Sequence, residues 1–299
     1  MKNRIIDLKK EKNAVILAHY YAPIEAQDVA DYIGDSFYLA KIAKESTADI
    51  IVFCGVSFMG ESAKILNPDK KVLMPDPKAD CPMAHMVKDG LIEKMRKEYE
   101  DLAVVCYINS TAELKSHCDV CVTSSNAVGI VKKLKNKNIF FIPDKNLGSF
   151  VAKQIPEKNI ILNDGFCPIH ASISASELLS CKAAYPNALV LSHPECEKEI
   201  LDVSDFVGST ADIINYAKSS LNKEFIICTE DGVEYKLTSD NRDKKFYFPD
   251  PRPRCTDMKL NNLENILSVL QNEDREITIP EEIRQKALAP LDKMLELAK

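Results

Sequence analysis

The sequence predicts an α/β fold of three repeated three-layer αβα units, each with a parallel four-stranded sheet. Two observations predict it. Chemically similar residues recur with a period near 87 through the 299-residue chain. Within each period, short β-branched runs alternate with helix-like stretches, the pattern of parallel sheets layered between helices.

The first set of runs is 14–21, 102–109 and 188–195, with His19, Tyr107 and His193 at matched positions 88 and 86 residues apart. Two residues further stand Tyr21, Asn109 and Glu195. Ser36, Ser124 and Thr210 keep the same spacing, ahead of apolar runs at 50–54, 139–142 and 225–228. A fourth set ends at Asp76, Asp164 and Asp250, and just beyond lie Cys81, Cys167 and Cys255, spaced by 86 and 88. Each unit thus reads strand, helix, strand, helix, strand, helix, strand, with helices expected over 28–33, 57–66 and 127–135. The units are expected at 1–86, 87–172 and 173–256, with helices in 257–299 packing on the first. Right-handed crossovers bring all strand carboxyl ends to one side, where ligands bind in such sheets. Every aligned polar residue falls there.

Composition narrows the class. With 45% hydrophobic and 28% charged residues, the chain is that of a soluble globular protein able to bury a large core. A net charge of -6 and a pI near 5.5 argue against nucleic acid as a partner. Nothing approaches the ~20 apolar residues of a membrane span, and the run from Ala14 to Ala18 is too short for a signal peptide, so the cytoplasm is the expected location. There, the ten cysteines are thiols for metal or burial rather than disulfides.

Cys81, Cys167 and Cys255 lie one per unit, far apart in sequence, unlike the local loops of a zinc finger or ferredoxin. A pseudo-threefold axis would let their thiolates converge. Three thiolates suit a cubane cluster with one iron left open as a Lewis acid, and soft sulfur selects iron–sulfur or zinc over hard cations. Cys54, Cys106 and Cys228 sit in apolar strands and read as small buried hydrophobes. Cys118-Asp-Val-Cys121 has the spacing of a redox pair but lacks a second pair or a bend, and reads with Cys196 as a bystander.

Ser36, Ser124 and Thr210 fall between strand and helix, where hydroxyls cap helices and free N–H groups bind anions. His19 and His193 end strands in phase with Tyr107, placed to bind a carboxylate or move protons. Tyr21, Tyr107 and Glu195 add proton-transfer groups, and Asn109 a neutral amide. His170, three residues after Cys167, is a candidate for tuning a metal ligand; His117 reads as surface.

The ordered motifs LAHYY, IGDS, FMGESAKILNPDK, CPMA, YINSTAEL, VTSSNAV, PDKNLG, GFCPIH, HPEC and VGST, with the late Cys255-Thr-Asp-Met, closely resemble those of the quinolinate synthase family. The resemblance implies condensation of iminoaspartate with dihydroxyacetone phosphate to quinolinate, phosphate and water, for NAD biosynthesis. It implies a pseudo-threefold triplication of three-layer αβα domains with the active site at their central junction, and a [4Fe–4S] cluster on Cys81, Cys167 and Cys255 with one iron open to substrate. His19, Ser36, Tyr107, Asn109, Ser124, His193, Glu195, Ser209 and Thr210 would contact substrate. Tyr21, Tyr107 and Glu195 would carry the proton transfers. The enzyme that supplies iminoaspartate would be a transient partner. On residues alone, an iron-dependent hydro-lyase and an iron–sulfur sensor or zinc-stabilised binding protein stay open as rivals.

Overall fold

The computed structural model describes residues 1–299. The first unit contains α1 (Lys2–Glu11), β1 (Ala14–His19), α2 (Ile24–Val29), β2 (Tyr32–Gly34), α3 (Ser36–Glu45), β3 (Ile50–Cys54), α4 (Ser57–Leu66) and β4 (Lys71–Leu73). The second holds α5 (Leu91–Glu98), β5 (Leu102–Tyr107), α6 (Ala112–Lys115), β6 (Val120–Val122), α7 (Ala127–Lys133), β7 (Asn138–Ile142), α8 (Lys145–Gln154), β8 (Asn159–Leu162) and α9 (Pro168–Ala171). The third holds α10 (Ala175–Ala184), β9 (Leu189–Ser192), α11 (Lys198–Leu201), β10 (Phe206–Val207), α12 (Thr210–Ser219), β11 (Glu224–Cys228), α13 (Glu234–Asp240) and β12 (Lys245–Tyr247). Helices α14 (Leu263–Asn272) and α15 (Glu281–Leu297) close the chain.

Three separate parallel four-stranded sheets result, ordered β2-β1-β3-β4, β6-β5-β7-β8 and β10-β9-β11-β12. The order repeats because the sequence repeats. Central strands such as β3 are buried along their whole length, which is why they read as unbroken apolar runs, whereas the edge strands are short. Register repeats as well: Leu17 pairs with Tyr32, Val105 with Val120 and Leu191 with Phe206.

One device recurs in all three units. Asp31, Asp119 and Asp205 each accept the backbone N–H of Ile16, Val104 or Val190, at 2.8, 2.7 and 2.8 Å. Each carboxylate satisfies a strand donor beyond the end of its edge strand and so sets where pairing begins. These aspartates are 88 and 86 residues apart, a sixth periodic feature.

The largest apolar cluster, 43 buried residues, runs through both the first and second units, so those two share one core. Helix α15 contributes Ala287, Leu291 and Met294 to it. The third unit packs two smaller clusters, one on each face of its sheet. Helix α14 packs against α1, α2 and β3, whereas α15 lies across α4, α6 and β6 and so bridges two units. No helix is long and apolar enough to cross a membrane.

The helix expected over 57–66 is there, and that over 127–135 ends at Lys133. The one expected over 28–33 is not. Helix α2 stops at Val29, and Tyr32–Gly34 form edge strand β2, because Asp31 turns the chain back onto β1.

Candidate functional site

Loops at the carboxyl ends of the three sheets meet around a central cavity of about 260 Å³. The first unit sends in His19, Tyr21, Ser36 and Cys81; the second, Tyr107, Asn109, Ser124 and Cys167; the third, His193, Glu195, Thr210 and Cys255. These periodic residues therefore converge, whereas Asp76, Asp164 and Asp250 do not line the cavity. Ser209 does not line the cavity: it is the N-cap of α12, locked in a capping box with Asp212. The capping roles foreseen for the other hydroxyls shift too. Asp35 caps α3 and Ser209 caps α12, which leaves Ser36 and Thr210 as first helical residues with hydroxyls free of that duty. Ser124 lies two residues before Asn126, the N-cap of α7.

Two units use the same histidine geometry. His19 Nδ1 accepts the N–H of Tyr21 at 3.1 Å, and His193 Nδ1 accepts that of Glu195 at 3.3 Å. That contact places the ring proton on Nε2 in each case. Burial lowers both imidazoles to about 3 despite the opposing pull of Glu195, so both are neutral N–H donors at neutral pH. His193 Nε2 lies 3.2 Å from Ser124 Oγ.

His170, on α9, is the hub of the site. Its Nδ1 is 2.7 Å from Glu195 Oε2 and 3.2 Å from Cys167 Sγ, and its ring stacks on that of His193 with centroids 4.7 Å apart. Nε2 is 2.9 Å from Thr229 Oγ1, which bonds the Tyr21 hydroxyl at 2.7 Å; Tyr21 in turn bonds Thr210 at 2.7 Å. A continuous hydrogen-bond chain, Glu195–His170–Thr229–Tyr21–Thr210, thereby joins all three units. Neither Thr229 nor the central place of His170 shows in the period, although an i,i+3 spacing on one helical turn does set His170 over Cys167.

Glu195 is almost fully buried, with one carboxylate oxygen, Oε1, lacking any partner, as does Asn109 Oδ1. Burial opposes its charge, but His170, His193 and the Tyr107 hydroxyl outweigh that and hold the carboxyl below its usual range. Burial and the facing Glu195 raise Tyr21 and Tyr107 well above the ordinary phenol range, keeping them protonated. Orphaned buried acceptors aimed into a cavity are groups waiting for a ligand's donors. No Lys or Arg lines the cavity. An anion there would be held by imidazole N–H groups, hydroxyls and the N-termini of α3 and α12. Lys259, which sequence reading passed over, sits behind the wall, bonded to the Tyr21 carbonyl at 2.9 Å and to Glu230 at 2.7 Å.

The cysteine loops are pinned from below. Asp144 accepts the Cys167 N–H at 3.2 Å and Glu230 accepts the Cys255 N–H at 3.0 Å, two carboxylates 86 residues apart. Cys81 and Cys167 each precede a proline that opens a short helix, and Cys255 precedes the turn at Met258–Leu260. Burial raises all three thiols, that of Cys81 to about 12, so a cationic group among them would be needed to hold thiolates. The donor atoms that close within 4.8 Å of one another are those of Cys167, His170 and Glu195; Cys81 and Cys255 stand outside that set. One ion cannot bind all three sulfurs at this spread, whereas a multi-iron cluster bridges a wider gap. The three-thiol donor set fits a cubane.

Comparison with known proteins gives the family. Residues 3–296 match the family described as "Quinolinate synthetase A protein". A relative from Clostridioides difficile (strain 630), named quinolinate synthase, is 52% identical over 99% of this chain and 97% of its own. One of the same name from Fusobacterium nucleatum is 54% identical over 100% and 99% of the two chains, and another from Sulfurihydrogenibium sp. is 50% identical over 99% and 97%.

Proposed function

Because this chain belongs to the quinolinate synthase family, we propose that it condenses iminoaspartate with dihydroxyacetone phosphate, releasing phosphate and water and closing the pyridine ring of quinolinate for NAD biosynthesis. The observation that supports this most is the meeting of three remote cysteines and a ring of neutral donors in one cavity. Cys81, Cys167 and Cys255 would hold a [4Fe–4S] cluster. When bound, it supplies an open iron, a Lewis acid that polarises a substrate oxygen or nitrogen. The units 1–86, 87–172 and 173–256, a cytoplasmic location and a transient partner that delivers iminoaspartate belong to the same reading.

The chain's own residues bind and move protons. His19 and His193 direct Nε2–H groups, and Ser36, Ser124 and Thr210 direct hydroxyls, at the two carboxylates and the phosphate. Asn109 Oδ1 accepts from the imine nitrogen or a substrate hydroxyl. Glu195, ionised and with Oε1 free, takes protons from carbon as the ring forms. Tyr107, whose hydroxyl faces Glu195, stabilises that carboxylate and returns a proton to a departing hydroxyl. Tyr21 serves the other end of the chain through Thr229 and His170, so that a proton lost at one side can be supplied at the other.

Anaerobic protein reconstituted with iron and sulfide, given both substrates, should yield quinolinate measurable by chromatography. Absence of any pyridine dicarboxylate would overturn the proposal. A second reading follows from the close Cys167–His170–Glu195 set, which suits a single zinc ion. Zinc without acid-labile sulfide in anaerobically purified protein would favour it.

A further inference from the structure

The pair set aside as a bystander in the sequence has company in the fold. Strands β5 and β6 place Cys106 directly opposite Cys121, and the turn before β6 brings in Cys118. The Cys106 thiol has both other thiols as neighbours, and its Sγ lies 3.5 Å from the Tyr107 carbonyl oxygen. Cys106 and Cys121 are fully buried, and Cys118 is half-buried at the surface, its thiol donating to the Leu114 carbonyl at 3.1 Å. The central cavity is lined by none of the three.

An independent observation concerns the charge beside them. Lys115 is fully buried, yet its ammonium donates only to the neutral Ser110 carbonyl and stands 5.5 Å from the centre of the Phe58 ring. A buried ammonium requires a counter-charge. The nearby carboxyl of Glu61 is raised by burial and spends one oxygen on the Ala112 N–H at 2.7 Å. Cys106 is the other group that answers Lys115: burial opposes its thiolate, but the neighbouring Cys118 and Cys121 thiols and the ammonium prevail and hold it well below the ordinary thiol range.

We propose that Cys106, Cys118 and Cys121 form a redox-active thiol site, in which Cys106 and Cys118 become a disulfide by exchange with a small-molecule disulfide while Cys121 remains a thiol. Cys118 is the entry point because it alone reaches solvent. Cys118 loses its proton to solvent and attacks one sulfur of the small disulfide, forming a mixed disulfide and expelling a thiolate that takes up the proton. Cys106, held as the thiolate, then attacks the Cys118 sulfur, and the second small thiolate departs. Two protein sulfurs are oxidised, and one disulfide is reduced to a thiol and a thiolate. Cys121 is an unsuitable partner, since both strands of its pair are held by the sheet, whereas Cys118 lies in the turn before β6, outside the ladder. The next residue after Cys106 is Tyr107, so the site adjoins the strand end that enters the cavity.

The test is anaerobic incubation of the holoprotein with oxidised glutathione, then tryptic mapping without reductant. Cleavage after Lys97, Lys115 and Lys132 separates Cys106 in 98–115 from Cys118 and Cys121 in 116–132. The expected result is a cross-link between these peptides that is kept in Cys121→Ser, lost in Cys118→Ser and reversed by dithiothreitol. No cross-link, a loop confined to 116–132, or a cross-link that survives Cys118→Ser would each overturn the proposal. None of these outcomes depends on the identity of the central cofactor or substrate.

Discussion

Two neutral, buried histidines make the site sensitive to acid in a way that can be calculated. His19 and His193 drop to about 3 in the fold, against about 6.5 for the unfolded side chain. The unfolded chain therefore binds more protons than the folded one between these values, and stability falls as pH falls through that window. At pH 5.5, one unit below the unfolded value, each histidine costs about 1.4 kcal/mol, and the pair about 3 kcal/mol. The result barely changes so long as the folded value stays below about 5. Glu195, lowered in the fold, adds a loss only at more acidic pH, where the unfolded carboxyl begins to protonate. The assay is the free energy of urea unfolding at pH 7.5 and 5.5, for the parent and for His19→Asn. Asparagine keeps an acceptor for the Tyr21 N–H but cannot titrate. The variant should lose about half as much stability as the parent over the same step. An equal loss in both would refute the assignment of a neutral, buried His19.

Other outcomes follow from the same geometry. Cys167→Ser should abolish the brown chromophore of reconstituted protein while Cys118→Ser leaves it intact, as read by the visible spectrum; the reverse would mean the wrong thiols were assigned. Glu195→Gln should lower kcat about 10²–10⁴-fold with a smaller change in KM, since it keeps the shape but removes the base; steady-state kinetics checks it. Gly232→Ala should destabilise by about 1–3 kcal/mol, because its Cβ would lie 2.8 Å from the Tyr21 Cα. Thermal unfolding measures that, and an unchanged midpoint would show that the loop over Tyr21 gives way freely. Asp35→Ala should cost ~1 kcal/mol by uncapping α3, whose Tyr38 N–H it accepts at 2.8 Å.

How much could be read beforehand depended on whether a feature repeats. Strand ends, the aligned polar residues and one cysteine per unit were legible because three copies of one topology must solve the same local problems with similar residues. Asp31, Asp119 and Asp205 obey the same rule and were there to be found. His170 and Thr229 belong to single units and Lys259 to the segment beyond the third, and each bonds a group supplied by another unit, so no period marks them. The capping positions slipped by one because both Asp35-Ser36 and Ser209-Thr210 are good caps, and only backbone geometry decides which residue bends. Cys118-Asp-Val-Cys121 looked inert because its missing member, Cys106, lies on the neighbouring strand. The bridge made by α15 was hidden for a related reason: its apolar stripe says that it packs, not on what.

The hydrogen-bond chain that threads all three units has a consequence for how the protein is born. Synthesis proceeds from the amino terminus, so Tyr21 emerges long before Thr229, and Cys255 is the last of the three thiols to leave the ribosome. A metal centre offered before Cys255 emerges would meet at most two of the three sulfurs and a cavity wall still lacking Cys255, Thr256 and Met258. A cluster that needs all three sulfurs would thus be loaded only once the third unit is complete, and a product cut short of Cys255 would stay empty.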